Sequence, residues 1–176
     1  AKTMCTDVCT FEGGFTHKPA GASFTGYYFW KIISEDDAKD PRSNNWSSNW
    51  PLMRYAEVLL MYAEAANEVD GPTEMVQSAL NQIRARGDIQ MPPVPTNLTK
   101  EQMRDKIRRE RRIELAFEGF RYNDLKRWKI AEKRLNMSAE EAIIPRTFEK
   151  RNYRFPIPQS EIDKSRGVLI QNPDYK

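Results

Sequence analysis

The sequence predicts a mostly α fold, with antiparallel helix pairs between irregular or extended N-terminal and C-terminal segments. Three observations carry that expectation. Apolar residues recur at spacings of three and four in several stretches beyond residue 50, the period of helices that bury one face. Proline and glycine punctuate the gaps, at Asp70-Gly71-Pro72 and at Met91-Pro92-Pro93-Val94-Pro95. Residues 1–50 carry scattered glycine and proline and an aromatic run without helical period.

Gly13-Gly14, Pro19 and Gly21 break up the start of the chain. Phe24 to Ile33, rich in aromatic residues, reads as one extended strand. Ser34 to Asn49 reads as a long polar loop, of the kind that is often functional. Asn49 is expected to cap a first helix of about 51–69, with Pro51 at its first position. Leu52, Tyr55, Ala56, Leu59, Tyr62, Ala63 and Ala66 form its expected buried stripe. Gly71 suits a left-handed stop. Thr73 is expected to cap a second helix, about 73–86, with Val76, Ala79, Leu80 and Ile83 inward. The proline run cannot be helical, because proline removes donors and restricts its neighbours. Thr99 with Gln102 makes a capping box for a third helix, about 99–118. Its apolar set is Met103, Ile107, Ile113, Ala116 and Phe117. A fourth helix, about 121–134, carries Leu125, Trp128, Ile130 and Ala131. Tyr153 to Pro158 is expected to be extended, Ser160 to Asp163 to make one turn, and Gln171 to Tyr175 to be irregular.

Two helix pairs of this size suggest a tetratricopeptide-like arrangement, in which neighbouring pairs stack over a shared core. Residues 1–50 form an aromatic segment and loop, and residues 51–176 the helical domain. Two pairs alone are marginal, so a further N-terminal portion is expected to cover one face. The start at Ala1 without a methionine suits a processed or excised piece.

Net charge is +3, from 28 basic and 25 acidic residues, a balance that argues against a dedicated nucleic-acid binder. No apolar run approaches the roughly 18–20 residues that span a bilayer. Cys5 and Cys9 could bridge across an irregular turn or stay as thiols, and two cysteines fix no framework. His17 is the single histidine, so a Cys/His metal site is poorly supported and no metal or cofactor is expected.

Basic residues outnumber acidic ones between Lys100 and Arg134, which invites a nucleic-acid reading. The acidic residues, however, sit three and four positions from the arginines, a spacing that neutralises a helix face. Glu110, Arg111, Glu114, Glu118, Arg121 and Asp124 are expected to form a partly buried ion network between the third and fourth helices. Carboxylates among arginines keep their charge, which suits ion pairing and not proton transfer. With no Gly-rich phosphate loop, no H-E-x-x-H and no G-x-S-x-G, no catalytic residue is assigned and the chain is not expected to be an enzyme. The aromatics near the start are dense. Most are expected to pack under the helices, but Trp46 and Trp50 flank a Ser/Asn-rich loop. Trp46, Trp50, Trp30, Tyr28 and Asn45 are the candidate ligand contacts, as flat rings beside amides can hold a sugar.

Arg54 to Ala65, R-Y-A-E-V-L-L-M-Y-A-E-A, resembles a helix of the SusD/RagB family. Glu110 to Trp128, E-R-R-I-E-L-A-F-E-G-F-R-Y-N-D-L-K-R-W, is similar to that family's long central motif. Pro156-Ile157-Pro158 with Glu161-Ile162, and then Gln171-Asn172-Pro173-Asp174-Tyr175, resembles the family's ending. The chain departs from the pattern at Phe120, where His is frequent, at Asp174, where Gly is frequent, and at Lys164-Ser165-Arg166.

The resemblance implies a C-terminal portion of a lipid-anchored protein on the outer-membrane surface. Such a protein caps a SusC-like TonB-dependent transporter and holds glycans or other nutrients for import. It implies membrane attachment only through a lipid anchor absent from this chain, and helices that serve mainly as scaffold. The alternative reading is a structural module that docks the transporter without itself touching ligand.

Overall fold

The computed structural model describes residues 4–5, 9–10, 16–17, 28–29, 31, 49–87, 90–136 and 145–175. The chain divides into two compact units, residues 1–121 and 122–176.

The first unit opens with four short strands, β1 (Met4–Cys5), β2 (Cys9–Thr10), β3 (Thr16–His17) and β4 (Tyr28–Phe29). They pair antiparallel, β1 with β4 and β2 with β3, with Cys5 opposite Tyr28 and Cys9 opposite His17. Of the expected aromatic strand, Tyr28–Phe29 and Lys31 are described. The rest of it, and the polar loop as far as residue 48, lies outside the described residues.

Three helices follow: α1 (Tyr55–Asp70), α2 (Glu74–Arg84) and α3 (Lys100–Glu114). Helix α1 starts later than the sequence suggested. Its N-cap is Arg54, which makes no side-chain cap, and not Asn49. Gly71 ends it at φ 81°, a backbone that a side chain would strain, and donates its N–H to the Asn67 carbonyl at 3.1 Å. Thr73 caps α2 by accepting from Val76 N–H at 3.4 Å. Thr99 and Gln102 close the expected capping box at the start of α3.

The short connection 71–73 folds α2 back against α1. Helix α3 lies antiparallel to α1. Asn67, near the end of α1, donates to the Lys100 carbonyl at the start of α3, while Arg54 meets Glu114 at the other end. The core between them is Ala56, Leu60 and Ala63 of α1, Val76, Ala79, Leu80 and Ile83 of α2, and Met103 and Ile107 of α3, with Val94 and Leu115. The proline run is pinned along α2, where Asn81 Oδ1 accepts from Val94 N–H at 2.8 Å and Arg84 Nε donates to the Pro92 carbonyl at 2.8 Å.

Two expected core sets need correction. In α1 the inward face is Ala56, Glu57, Leu60, Ala63 and Asn67; Leu52, Tyr55 and Tyr62 are exposed, and Leu59 and Ala66 only line the edge of the core. The helix is apolar on two sides, so periodicity alone cannot pick the packed one. Ile113 is also exposed, because it lies off the α3 face that Met103, Ile107 and Glu114 bury, and Phe117 is exposed because α3 ends at Glu114 and the chain then turns through 115–119. Phe117 and Gly119 take left-handed backbone there, at φ 65° and 86°.

Helix α4 (Phe120–Arg127) comes next, then α5 (Ala131–Leu135). The single expected helix is broken at 128–130. Ile130 N–H reaches back to the Leu125 carbonyl and Lys129 N–H to the Lys126 carbonyl, with Lys129 left-handed at φ 56°. These two bonds make a Schellman stop with lysine in the place usually held by glycine.

The second unit packs Leu125, Ala131 and Phe148 with Ile130, Leu135 and Tyr153. Phe148 meets Tyr153 edge-on at 5.0 Å, and the Tyr153 hydroxyl accepts from Ala131 N–H at 3.1 Å, capping α5. A 3-10 turn, Lys150–Tyr153, precedes the extended Pro156–Pro158 stretch, so Tyr153 itself is not extended. The short helix α6 (Gln159–Lys164) and a closing 3-10 turn, Pro173–Tyr175, complete the unit.

Candidate functional site

A buried ion node holds the far end of the three-helix core. Glu114 closes α3 and Glu118 lies in the following turn; both are nearly buried. Glu118 accepts from Arg54 twice, from Nε at 2.9 Å and Nη2 at 2.7 Å, and also pairs with the Lys31 ammonium. Glu114 takes both arms of Arg86, each at 2.9 Å, and Nη1 of Arg54 at 3.0 Å. Arg54 Nη2 and Lys31 also donate to the Glu114 backbone carbonyl. That carbonyl lies in the last turn of α3, where no intrahelical donor reaches it and where the helix dipole favours cations. Arg54 gives α1 no side-chain cap, because a guanidinium donates and cannot accept from the first N–H groups; its donors go to this node.

Burial pushes the Glu118 carboxyl pKa up, but hydrogen bonds from Arg54 and Lys31 outweigh it and hold the group below the ordinary range. The Arg54 guanidinium is raised, first by its hydrogen bond to Glu118. Each partner thus fixes the other's charge, which is the signature of a permanent pair and the opposite of a group poised to exchange protons.

The expected network residues fall in several places. Glu110 pairs with Arg84 of α2 at 2.8 Å. Arg111 is buried and its Nε lies 3.9 Å from Glu64 of α1. Asp124 pairs with Arg127 at 2.9 Å, within the second unit. Glu114 and Glu118 come together, but their cations arrive from α1, from the end of α2 and from Lys31. Sequence spacing missed Lys31, Arg54, Arg84 and Arg86. One signal was available: Arg84 at the end of α2 and Arg86 just past it make a basic pair, and α3 offers Glu110 and Glu114 one turn apart.

Of the candidate ligand contacts, Trp30, Asn45 and Trp46 lie outside the described residues. Tyr28 is placed in β4. Trp50 is described, and the residue is 55% exposed ahead of α1. Whether Cys5 and Cys9 are bridged also lies outside what is described. Among the described residues no group of three or more His, Cys, Asp or Glu gathers in a way that could hold a metal ion. Among them, too, no helix is long and apolar enough to cross a membrane.

The C-terminal motif residues act as clamps on extended backbone. Gln171 accepts from Ile157 N–H at 2.9 Å and donates to its carbonyl at 2.8 Å. Asn172 donates to the Phe155 carbonyl at 2.6 Å, and the Tyr175 hydroxyl to the Arg154 carbonyl at 3.0 Å. Side-chain amides here satisfy backbone groups that proline keeps out of any helix. Lys126 sits 4.0 Å from the centre of the Phe155 ring.

Comparison with known proteins places this geometry. The SusD family profile matches residues 7–175. SusD-like protein P2 of Formosa agariphila is 36% identical over 134 residues, which is 73% of this chain and 26% of that protein. The crystal structure of a SusD-like protein from Bacteroides fragilis superposes with a TM-score of 0.72 at 36% identity, covering 85% of this chain and 30% of that one. A surface glycan-binding protein A from Bacteroides thetaiotaomicron superposes at 0.58 with 32% identity, over 73% of this chain and 26% of its own. The chain therefore spans between a quarter and a third of the length of these relatives.

Proposed function

Because this chain belongs to the SusD family, we propose that it is the helical part of a non-catalytic surface protein that captures glycans for a SusC-like TonB-dependent transporter. The family match over residues 7–175 carries the reading, and the name of the glycan-binding relative supports the ligand class. Within it, the three-helix core is scaffold, made rigid by the ion node. Glycan rings stack on Trp50, Trp46, Trp30 and Tyr28, and Asn45 supplies hydrogen bonds. Stacking suits a sugar because its C–H face is apolar while its hydroxyls seek amides. The full-length protein is held at the outer-membrane surface by a lipid anchor.

The test is a polysaccharide array probed with the full-length protein, followed by calorimetry on the best binder. Binding that Trp50→Ala weakens by about tenfold, close to 1.4 kcal/mol, is the expected result. An array with no binder, from a protein that still co-purifies with its transporter, favours the docking module instead.

A further inference from the structure

The second unit carries the positive charge of the chain. Residues 122–176 hold 12 Lys/Arg against 8 Asp/Glu, whereas residues 1–121 hold 16 against 17. One of those cations is set against aromatic rings. The Lys126 ammonium, on α4, lies 4.0 Å from the centre of the Phe155 ring and 5.2 Å from that of Tyr122. Asp124, the one acid of α4, goes to Arg127 at 2.9 Å, and among the described residues no carboxylate pairs with Lys126. Both ring-bearing residues are open to solvent, Phe155 at 68% and Tyr122 at 39%. Exposed rings beside an uncompensated ammonium offer an apolar plate and a positive charge together.

The arrangement is held before any ligand arrives. Tyr122 meets buried Phe148 edge-on, with ring centres 6.3 Å apart. The Phe155 carbonyl accepts from Asn172 at 2.6 Å and the Arg154 carbonyl from the Tyr175 hydroxyl at 3.0 Å, so the C-terminal clamps fix the stretch that presents the ring. A pre-formed site loses little binding energy to the ordering of side chains.

We propose that Lys126, Tyr122 and Phe155 form a further glycan contact on the second unit, and that it takes an acidic sugar, one bearing a carboxylate or a sulfate. The inference rests on the reading of the protein as one that captures glycans, and it names the class of glycan. The apolar C–H face of the sugar lies on an exposed ring, and its anionic group meets the ammonium. Lysine, a compact charge with three donors, suits either anion. A membrane surface is drawn by many cations spread over a face. A single ammonium fixed at two rings suits one anionic group beside one apolar face, which is the make-up of an acidic sugar.

The experiment is calorimetry on the full-length protein with two matched pairs: polygalacturonate with its carboxyl-reduced form, and dextran sulfate with dextran. The first pair reads a carboxylate and the second a sulfate. The expected result is binding of the acidic member of at least one pair about tenfold more tightly than its neutral counterpart. Lys126→Gln should remove that preference, Lys126→Arg should keep it, and Phe155→Ala should weaken the acidic member about tenfold. Rescue by arginine separates loss of charge from loss of structure. Lys133→Gln, at an exposed lysine of α5, should leave the preference in place; an equal loss there overturns the proposal as diffuse attraction. No acidic preference, or one that Lys126→Gln and Phe155→Ala leave intact, overturns it while glycan binding on the array keeps the capture reading. Failure to bind any polysaccharide removes both. Binding to phosphatidylglycerol vesicles in place of all four polysaccharides, lost in Lys126→Gln, overturns it in favour of a lipid surface.

Discussion

Glu118 stands in a tight turn, where an acidic side chain would ordinarily be solvated, yet it is nearly buried and held by Arg54 and Lys31. Breaking one side of a buried pair strands the other, at roughly 3–5 kcal/mol. The Arg54 side chain keeps a quarter of its exposure, which lowers that figure, so Glu118→Ala should cost about 2–3 kcal/mol in chemical denaturation. An unchanged midpoint would show that the pair contributes nothing. The pH dependence has a definite sign. The folded-state pKa of Glu118 lies below the ordinary 4.5, so its contribution is complete above that value and is lost as pH falls through the lower folded value. The stability gap between wild type and Glu118→Gln should therefore be constant near neutrality and shrink below about pH 4.5. The carboxylates of this node were legible in the sequence and their partners were not. Spacing reveals pairs within one helix, whereas Arg54 lies 60 residues from Glu114 and meets it only through the antiparallel packing of α1 on α3.

Helix stops and starts follow local chemistry, and most were legible for that reason. Thr73, Gly71 and the Thr99–Gln102 box act where the sequence placed them, because each satisfies backbone groups within a few residues. Thr99→Ala should cost about 1 kcal/mol, read as a lowered melting temperature. The break between α4 and α5 was not legible, since Lys129 gives no hint of left-handed backbone. Lys129→Gly should relieve that conformation and stabilise the protein by about 0.5–1 kcal/mol, even with its 4.8 Å contact to the Tyr153 ring lost. A drop in stability would mean that the ring contact outweighs the backbone. The start of α1 was misplaced because Asn49 offers a cap that tertiary structure does not use: Arg54, five residues on, is drawn into the ion node. Its inward face was misread for a related reason, as two apolar stripes leave the moment of the helix without one direction.

At the scale of the whole molecule, the helical architecture and the family were legible because the motifs that carry them are the clamps and pairs of the scaffold itself. Glu114, Glu118, Arg54, Gln171 and Asn172 all spend their polar groups on the chain's own backbone or charges. Ligand chemistry was far less legible. Aromatic rings carry no spacing signature that separates a packed ring from a stacking platform, and of the tryptophans proposed as contacts Trp50 is the one described. On the proposed function, labour is divided between an ionic scaffold and aromatic capture. The direct test is calorimetric titration of the best-binding polysaccharide into three full-length proteins, wild type, Glu118→Gln and Trp50→Ala, at a temperature where all are folded. Affinity within about twofold of wild type is expected for Glu118→Gln, and a loss of about tenfold for Trp50→Ala. Binding abolished by Glu118→Gln and untouched by Trp50→Ala would contradict that division.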